Sequence, residues 1–202
     1  MVVSLLAKNY NINAKINFKG IENLVKAMSK EYQVKVGLLA SKGGSDELSD
    51  NMDVAGLGAL HEFGADIKIT QKMAAYLHFK AEELGLPSST GKGDGYIHIP
   101  ARSWLQMPLE KRNDLKKRII KYFGESKESI ENYIADTGDL MSLAIVIGNS
   151  AVEQIQEAFN TDGFGQWQAN SPFTVAQKGS AKPLVDTGSL RQKITYEVNN
   201  NG

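Results

Sequence analysis

Apolar residues first recur with a clear period at Ile12, Ala14, Ile16 and Phe18, alternating with Asn13, Lys15 and Asn17. A period of two belongs to a strand with one buried face, and Tyr32, Val34, Val36 and Leu38 repeat it. Between these runs Ile21, Leu24, Val25 and Met28 follow helical spacing, which predicts a strand, helix, strand opening. Residues 41–51, rich in Gly, Ser and Asp, read as a mobile loop. Val54, Leu57, Leu60 and Phe63 then mark a short helix closed by Gly64. Residues 66–100 read as an elaborated hairpin: a strand "DIKIT", a helix "KMAAYLHFKAEEL", a flexible "GLPSSTGKGDG" and a returning strand "YIHIP".

The second half is more helical. "SWLQMPLEKRNDLKKRIIKYF" directs Leu105, Leu109, Ile119 and Phe123 to a core, with Ser103 and Gln106 in capping-box spacing. "DLMSLAIVIGNSAVEQIQEAF" is a second long helix that tolerates Gly148. Two dozen residues of little period come next, within which Ser171, Pro172 and Gly179 outline a short helix as N-cap, first residue and C-terminal cap. Ile194, Tyr196 and Val198 make a final strand. The expected fold class is α+β: a small, mainly antiparallel sheet packed by two or more long helices, with a core over 1–160 and an extended C-terminal arm over 161–202.

Composition narrows the picture. The 202 residues suffice for one ordinary core, and the chain contains no cysteine, which removes disulfides and thiolate chemistry and fits a reducing cytoplasm. Lys plus Arg and Asp plus Glu both number 23, so no whole-chain field favours nucleic acid. The longest fully apolar run, Leu143 to Ile147, is far below the roughly 18 residues of a membrane span, and the start lacks the features of a secretory signal.

Candidate chemistry is sparse. Two Asp-Thr-Gly triplets, at Asp136 and Asp186, are the outward mark of an aspartic protease, which needs two such carboxylates sharing a proton, each in a β lobe. The residues after Gly138 read as helix and only fourteen residues come after Gly188, so the triplets read as turn or cap residues. His61, His78 and His98 lack metal-ligand spacing, and "GKGDG" lacks the rest of a phosphate loop; no cofactor and no metal is expected. The run from Lys111 to Lys121 contains six basic residues and one acidic. A solvated helix face is the first reading, and Lys111, Arg112, Lys116, Lys117 and Arg118 facing DNA is the second.

Several strings in order carry more information: "HEFG" at 61–64, "IPARSWL" at 99–105, "TVAQKGSAKPLVDTGSLRQKITYEV" at 174–198, and the opening helix followed by "VKVGLL". Together they resemble the tail-completion, or virion-morphogenesis, proteins of tailed bacteriophages, over most of the chain and most strongly at its C-terminal end. In that family the Ile-Pro-x-Arg string usually continues with Pro-Phe, where this chain has Ser103 and Trp104; the aromatic anchor is kept and the rigid helix start is lost. The resemblance implies a non-enzymatic part of a phage or prophage neck or tail, or of a tail-like bacteriocin. It would sit in the virion after assembly in the host cytoplasm, as a homo-oligomeric ring against other neck or tail proteins, with no membrane partner. A C-terminal arm with little core of its own then suits an assembly interface through Phe164, Trp167, Phe173, Lys178, Leu184 and Arg191, aromatic anchors being where interface energy concentrates. The alternative is a nucleic-acid-associated module using the basic helix, and a small hydrolase is a distant third.

Overall fold

A computed structural model of the chain describes residues 31–49, 52–87, 95–124, 126–186 and 188–200, together with Lys19, Glu22 and Asn23. The strand expected at 12–18, most of the helix expected at 20–30, and the tip Ser88–Lys92 lie outside the described residues; Glu22 and Asn23 are helical. The fold is α+β, with three two-stranded antiparallel pairings among the described residues.

Strand β1 (Tyr32–Leu38) pairs with the last strand, β6 (Ile194–Asn200), in a register that sets Val34 opposite Val198, Val36 opposite Tyr196 and Leu38 opposite Ile194. The two apolar series thus share one face. A single 3-10 turn, Ala40–Lys42, and a short ladder of β2 (Glu47–Ser49) with β3 (Met52–Asp53) occupy the segment expected as loop. Helix α1 (Val54–Phe63) is capped by Asp53, whose side chain accepts from Gly56 N at 2.6 Å. Its buried face runs Val54, Gly58, Glu62; Phe63, expected in the core, is 74% exposed. The elaborated hairpin comes next as β4 (Ala65–Lys68), α2 (Gln71–Glu83) and β5 (Tyr96–Ile99), with β4 and β5 paired to each other alone among the described residues.

The long helix expected from Ser103 is two helices, α3 (Gln106–Glu110) and α4 (Arg112–Tyr122), because the backbone at Lys111 leaves helical geometry at ψ 59°. Helix α5 (Lys127–Thr137) is an element the sequence reading omits, although Ser126 caps it, Ile130, Tyr133 and Ile134 keep helical spacing, and Gly138 ends it at φ 66°. Asp136 therefore sits in the last turn of α5, and Asp139 caps the next helix, α6 (Leu140–Asn160), by accepting from Ser142 N and Oγ. Those hydrogen bonds hold the Asp139 carboxyl below the usual carboxylate range.

Helix α6 lies across β1 and β6 and carries most of the core. A Cβ at position 148 would overlap the ring of Tyr196, so Gly148 is what brings helix and sheet together. The buried cluster joins Ile155, Ala158 and Phe159 of α6 with Val54, Trp104, Trp167, Leu190 and Ile194. Short helices α7 (Pro172–Lys178) and α8 (Ser189–Gln192) complete the chain, α7 with the Ser171 cap and the left-handed Gly179 expected of it.

Residues 161–200 are therefore part of the core and not an arm: Trp167, Leu190 and Ile194 are buried in the same cluster as α6. The reversal is built at "DGFG", where Asp162, Gly163, Phe164 and Gly165 all have φ between 50° and 77°. Phe164 N donates to Thr161 Oγ1 at 3.1 Å, Gly165 N to Thr161 O at 2.8 Å and Trp167 N to Asp162 O at 3.0 Å. Left-handed backbone at Asp162 and Phe164 costs about 1 kcal/mol each, and burying the Trp167 side chain offsets it. The final strand pairs with β1 of its own chain.

Candidate functional site

Two of the strings singled out in the sequence, at 61–64 and 99–105, converge. Glu62 is buried, and its carboxylate accepts from Ser103 Oγ at 2.6 Å, Trp104 N at 2.8 Å, Leu105 N at 2.9 Å and Gln106 N at 3.1 Å. From another helix it accepts the bond from Gln106 N that Ser103 Oγ would accept in a capping box, while Ser103 Oγ accepts from Met107 N at 2.9 Å. Trp104 Nε1 donates to Gly58 O at 2.8 Å and Trp167 Nε1 to Ser103 O at 3.1 Å. The "HEFG" and "IPARSWL" strings are thus two sides of one clamp.

Beside this clamp lies a basic cluster. Arg102 is only 6% exposed, and its guanidinium donates to Gln168 O at 2.7 Å, Ala169 O at 3.1 Å and Asn170 Oδ1 at 3.4 Å. Lys178 Nζ donates to the carbonyls of Lys182 and Val185, the second at 2.8 Å. Burial lowers the Lys178 pKa, the charge of Asp186 raises it, and that of Arg102 lowers it again. Burial, then Arg102 and Lys178, push His61 down to about 4, so its ring is neutral at pH 7.

The residues expected to form an assembly interface are mostly engaged within the chain. Trp167 is 8% exposed and meets Phe159 edge to face at 5.4 Å between ring centroids. It is a core residue and not an anchor waiting for a partner. Phe164 lies under the ammonium of Lys111, 4.1 Å from the ring centroid, and packs with Leu184 against the core. Arg191 Nε donates to Gln156 Oε1, and Gln156 Nε2 donates to Arg191 O at 3.0 Å. Phe173 is half-buried on α7.

The basic run is divided by the break at Lys111. Arg118 is half-buried and bound to Gln154 Oε1 at 2.9 Å and to Glu157, with Glu153 3.8 Å away. Lys117 stands 3.9 Å from Asp114. Lys116, Lys117 and Lys121 are exposed, and the side chain of Arg112 lies outside what the structure describes.

Among the described residues, no group of three His, Asp or Glu side chains is placed to hold a metal ion. His98 pairs instead with Asp66 across β4 and β5 at 2.6 Å. No helix among the described residues is long and apolar enough to cross a membrane.

Comparison of the chain with family models, curated proteins and solved structures returns no match.

The feature that sequence reasoning missed is on the hairpin. Phe63 just before it, Tyr76 and Phe79 of α2, and Tyr96 of β5 are all exposed, Phe79 to 64%. Tyr76 and Phe79 are three residues apart, hence on one side of α2, whose thirteen residues bury only Ala81. The signal was legible as an aromatic pair at Tyr76 and Phe79 inside a helix that is otherwise mostly Ala, Lys and Glu, but helical spacing alone assigns such a pair to a core.

Proposed function

We propose that the chain is a structural virion-assembly protein that completes the tail of a tailed phage or joins tail to head, as one copy in an oligomeric ring and without catalysis. The observation that carries this reading is the exposure of four aromatic side chains, Phe63, Tyr76, Phe79 and Tyr96, on and beside a hairpin whose strands pair only with each other among the described residues. Water disfavours such a surface, and aromatic side chains concentrate binding energy when a partner covers them. The order of the family-like strings supplies the phage setting, and the clamp gives two of them, at 61–64 and 99–105, a shared structural purpose.

The aromatic anchors of the assembly surface are therefore assigned to the hairpin and not to Trp167. The test is replacement of the encoding gene by an F63S/Y76S/F79S variant. Unfinished tails or tails unjoined to heads are expected; normal particles in normal yield would reject the reading. The nucleic-acid alternative keeps the exposed lysines 116, 117 and 121. It requires duplex binding whose salt dependence weakens when those three are changed to Gln.

A further inference from the structure

Where the C-terminal segment closes over Arg102, positive charge accumulates that the chain does not neutralise by direct contact. Arg102 and Lys178 are joined through Asn170: its Oδ1 accepts from Arg102, and its Nδ2 donates to the carbonyls of Ala181 and Lys182, both at 3.1 Å. Lys182 O in turn accepts from Lys178. Every acceptor in this network is a neutral carbonyl, and among the described residues neither cation has a carboxylate within ion-pair distance. His61 is tied in by its carbonyl, which accepts from Arg102 N at 2.7 Å, and its Nδ1 is buried without a hydrogen-bond partner among the described residues.

We propose that Arg102 and Lys178 form a receptor for one carboxylate, presented by an acidic side chain of a partner protein. Burying Arg102 against neutral acceptors is costly, and an incoming anion reduces that cost. The donors are available: Arg102 Nη1 makes no hydrogen bond among the described residues and is not among the sealed unpaired atoms, and Lys178 has a third proton. Because Arg102 and Lys178 are already held, little side-chain freedom is lost on binding. Two cations with Asp186 near Lys178 leave a net charge of about one, which matches a monoanion. Arg102 is 6% exposed and Lys178 half-buried, so both cations are set back from the surface, which suits a side-chain carboxylate and not a nucleic-acid backbone. That a neighbouring protein carries the carboxylate rests on the assembly reading; the anion site does not.

The test is thermal unfolding of the full chain at pH 7 in 100 mM acetate, phosphate or chloride at matched ionic strength. Acetate is expected to raise Tm by about 2 °C over chloride, as a weak ligand of the folded state does. Lys178→Met and Arg102→Lys, which keep the side-chain stems, should lose most of that difference; the comparison removes general salting effects, and K178M suffices if R102K does not fold. Equal Tm in acetate and chloride, an unchanged acetate response in K178M, or a larger rise in phosphate than in acetate would each overturn the proposal. The F63S/Y76S/F79S variant should keep the acetate response, so failure of the site and failure of the assembly reading are told apart.

Discussion

Residues 161–200 and the hairpin 65–99 exchange roles between sequence and structure. The first has little apolar period before its final strand, yet it places Trp167 and Leu190, with Ile194 of that strand, in the central cluster. The second has regular strand and helix patterns, yet α2 buries one residue and leaves Tyr76 and Phe79 in water. Periodicity reports which local structure forms; it does not report whether another part of the chain arrives to cover it. What decides burial here is the left-handed turn at Asp162–Gly165, which folds the aperiodic segment back onto α6, whereas no equivalent turn among the described residues brings α2 onto the core.

This contrast can be broken most forcefully at Trp167. Trp167→Ala should lower stability by about 3–5 kcal/mol, because the ring packs on Phe159 and its Nε1 donates to Ser103 O. Chemical denaturation measures it, and a change below about 1 kcal/mol would mean that the segment is the loosely held arm that its composition suggests.

Next in size is the clamp. Glu62→Ala strands the amides of Trp104, Leu105 and Gln106 together with the Ser103 hydroxyl, and should cost about 3 kcal/mol. Glu62→Gln retains acceptor capacity on one oxygen and should cost less, so the order of the two unfolding midpoints checks that the carboxylate acts as a shared cap.

Acid should reveal the same region. His61 has a folded pKa of about 4, against about 6.5 when unfolded, so the unfolded chain binds more protons between those values. The associated stability is fully present above about pH 6.5 and is lost as pH falls towards 4, by about 2 kcal/mol after allowing for partial solvation of the ring. His61→Gln should flatten that part of the pH profile; an unchanged slope would place the loss in other groups.

The smallest stability effect belongs to the hairpin. Phe63→Ser or Phe79→Ser should change stability by less than about 0.5 kcal/mol, since neither ring is covered.

Much of the fold was legible from local chemistry. The cap residues Ser171, Pro172 and Gly179, the closure of α1 at Gly64, and the final strand with Ile194, Tyr196 and Val198 stand where spacing and capping propensity place them. The break at Lys111 was not legible, because no Gly or Pro marks it; Gln154 Nε2, 43 residues away, donates to Lys111 O at 3.3 Å and to Pro108 O at 3.1 Å, satisfying carbonyls that a continuous helix would have bonded internally. Nor was the Arg102, Lys178 and His61 cluster, whose members are separated by 41 to 117 positions and meet only through the turn at 162–165. The candidate interface was chosen for its aromatic residues, and aromatic content alone does not tell Trp167, which the fold covers, from Phe79, which it leaves bare.

The central claim is that the exposed aromatic residues on and beside the hairpin, and not Trp167, anchor the neighbouring protein. The most direct measurement is the yield of complete particles formed by F63S/Y76S/F79S, taken with protein whose unfolding midpoint equals that of the unmodified chain. A near-complete loss of finished, joined tails at unchanged stability is the expected result. Complete particles at the normal yield would contradict it.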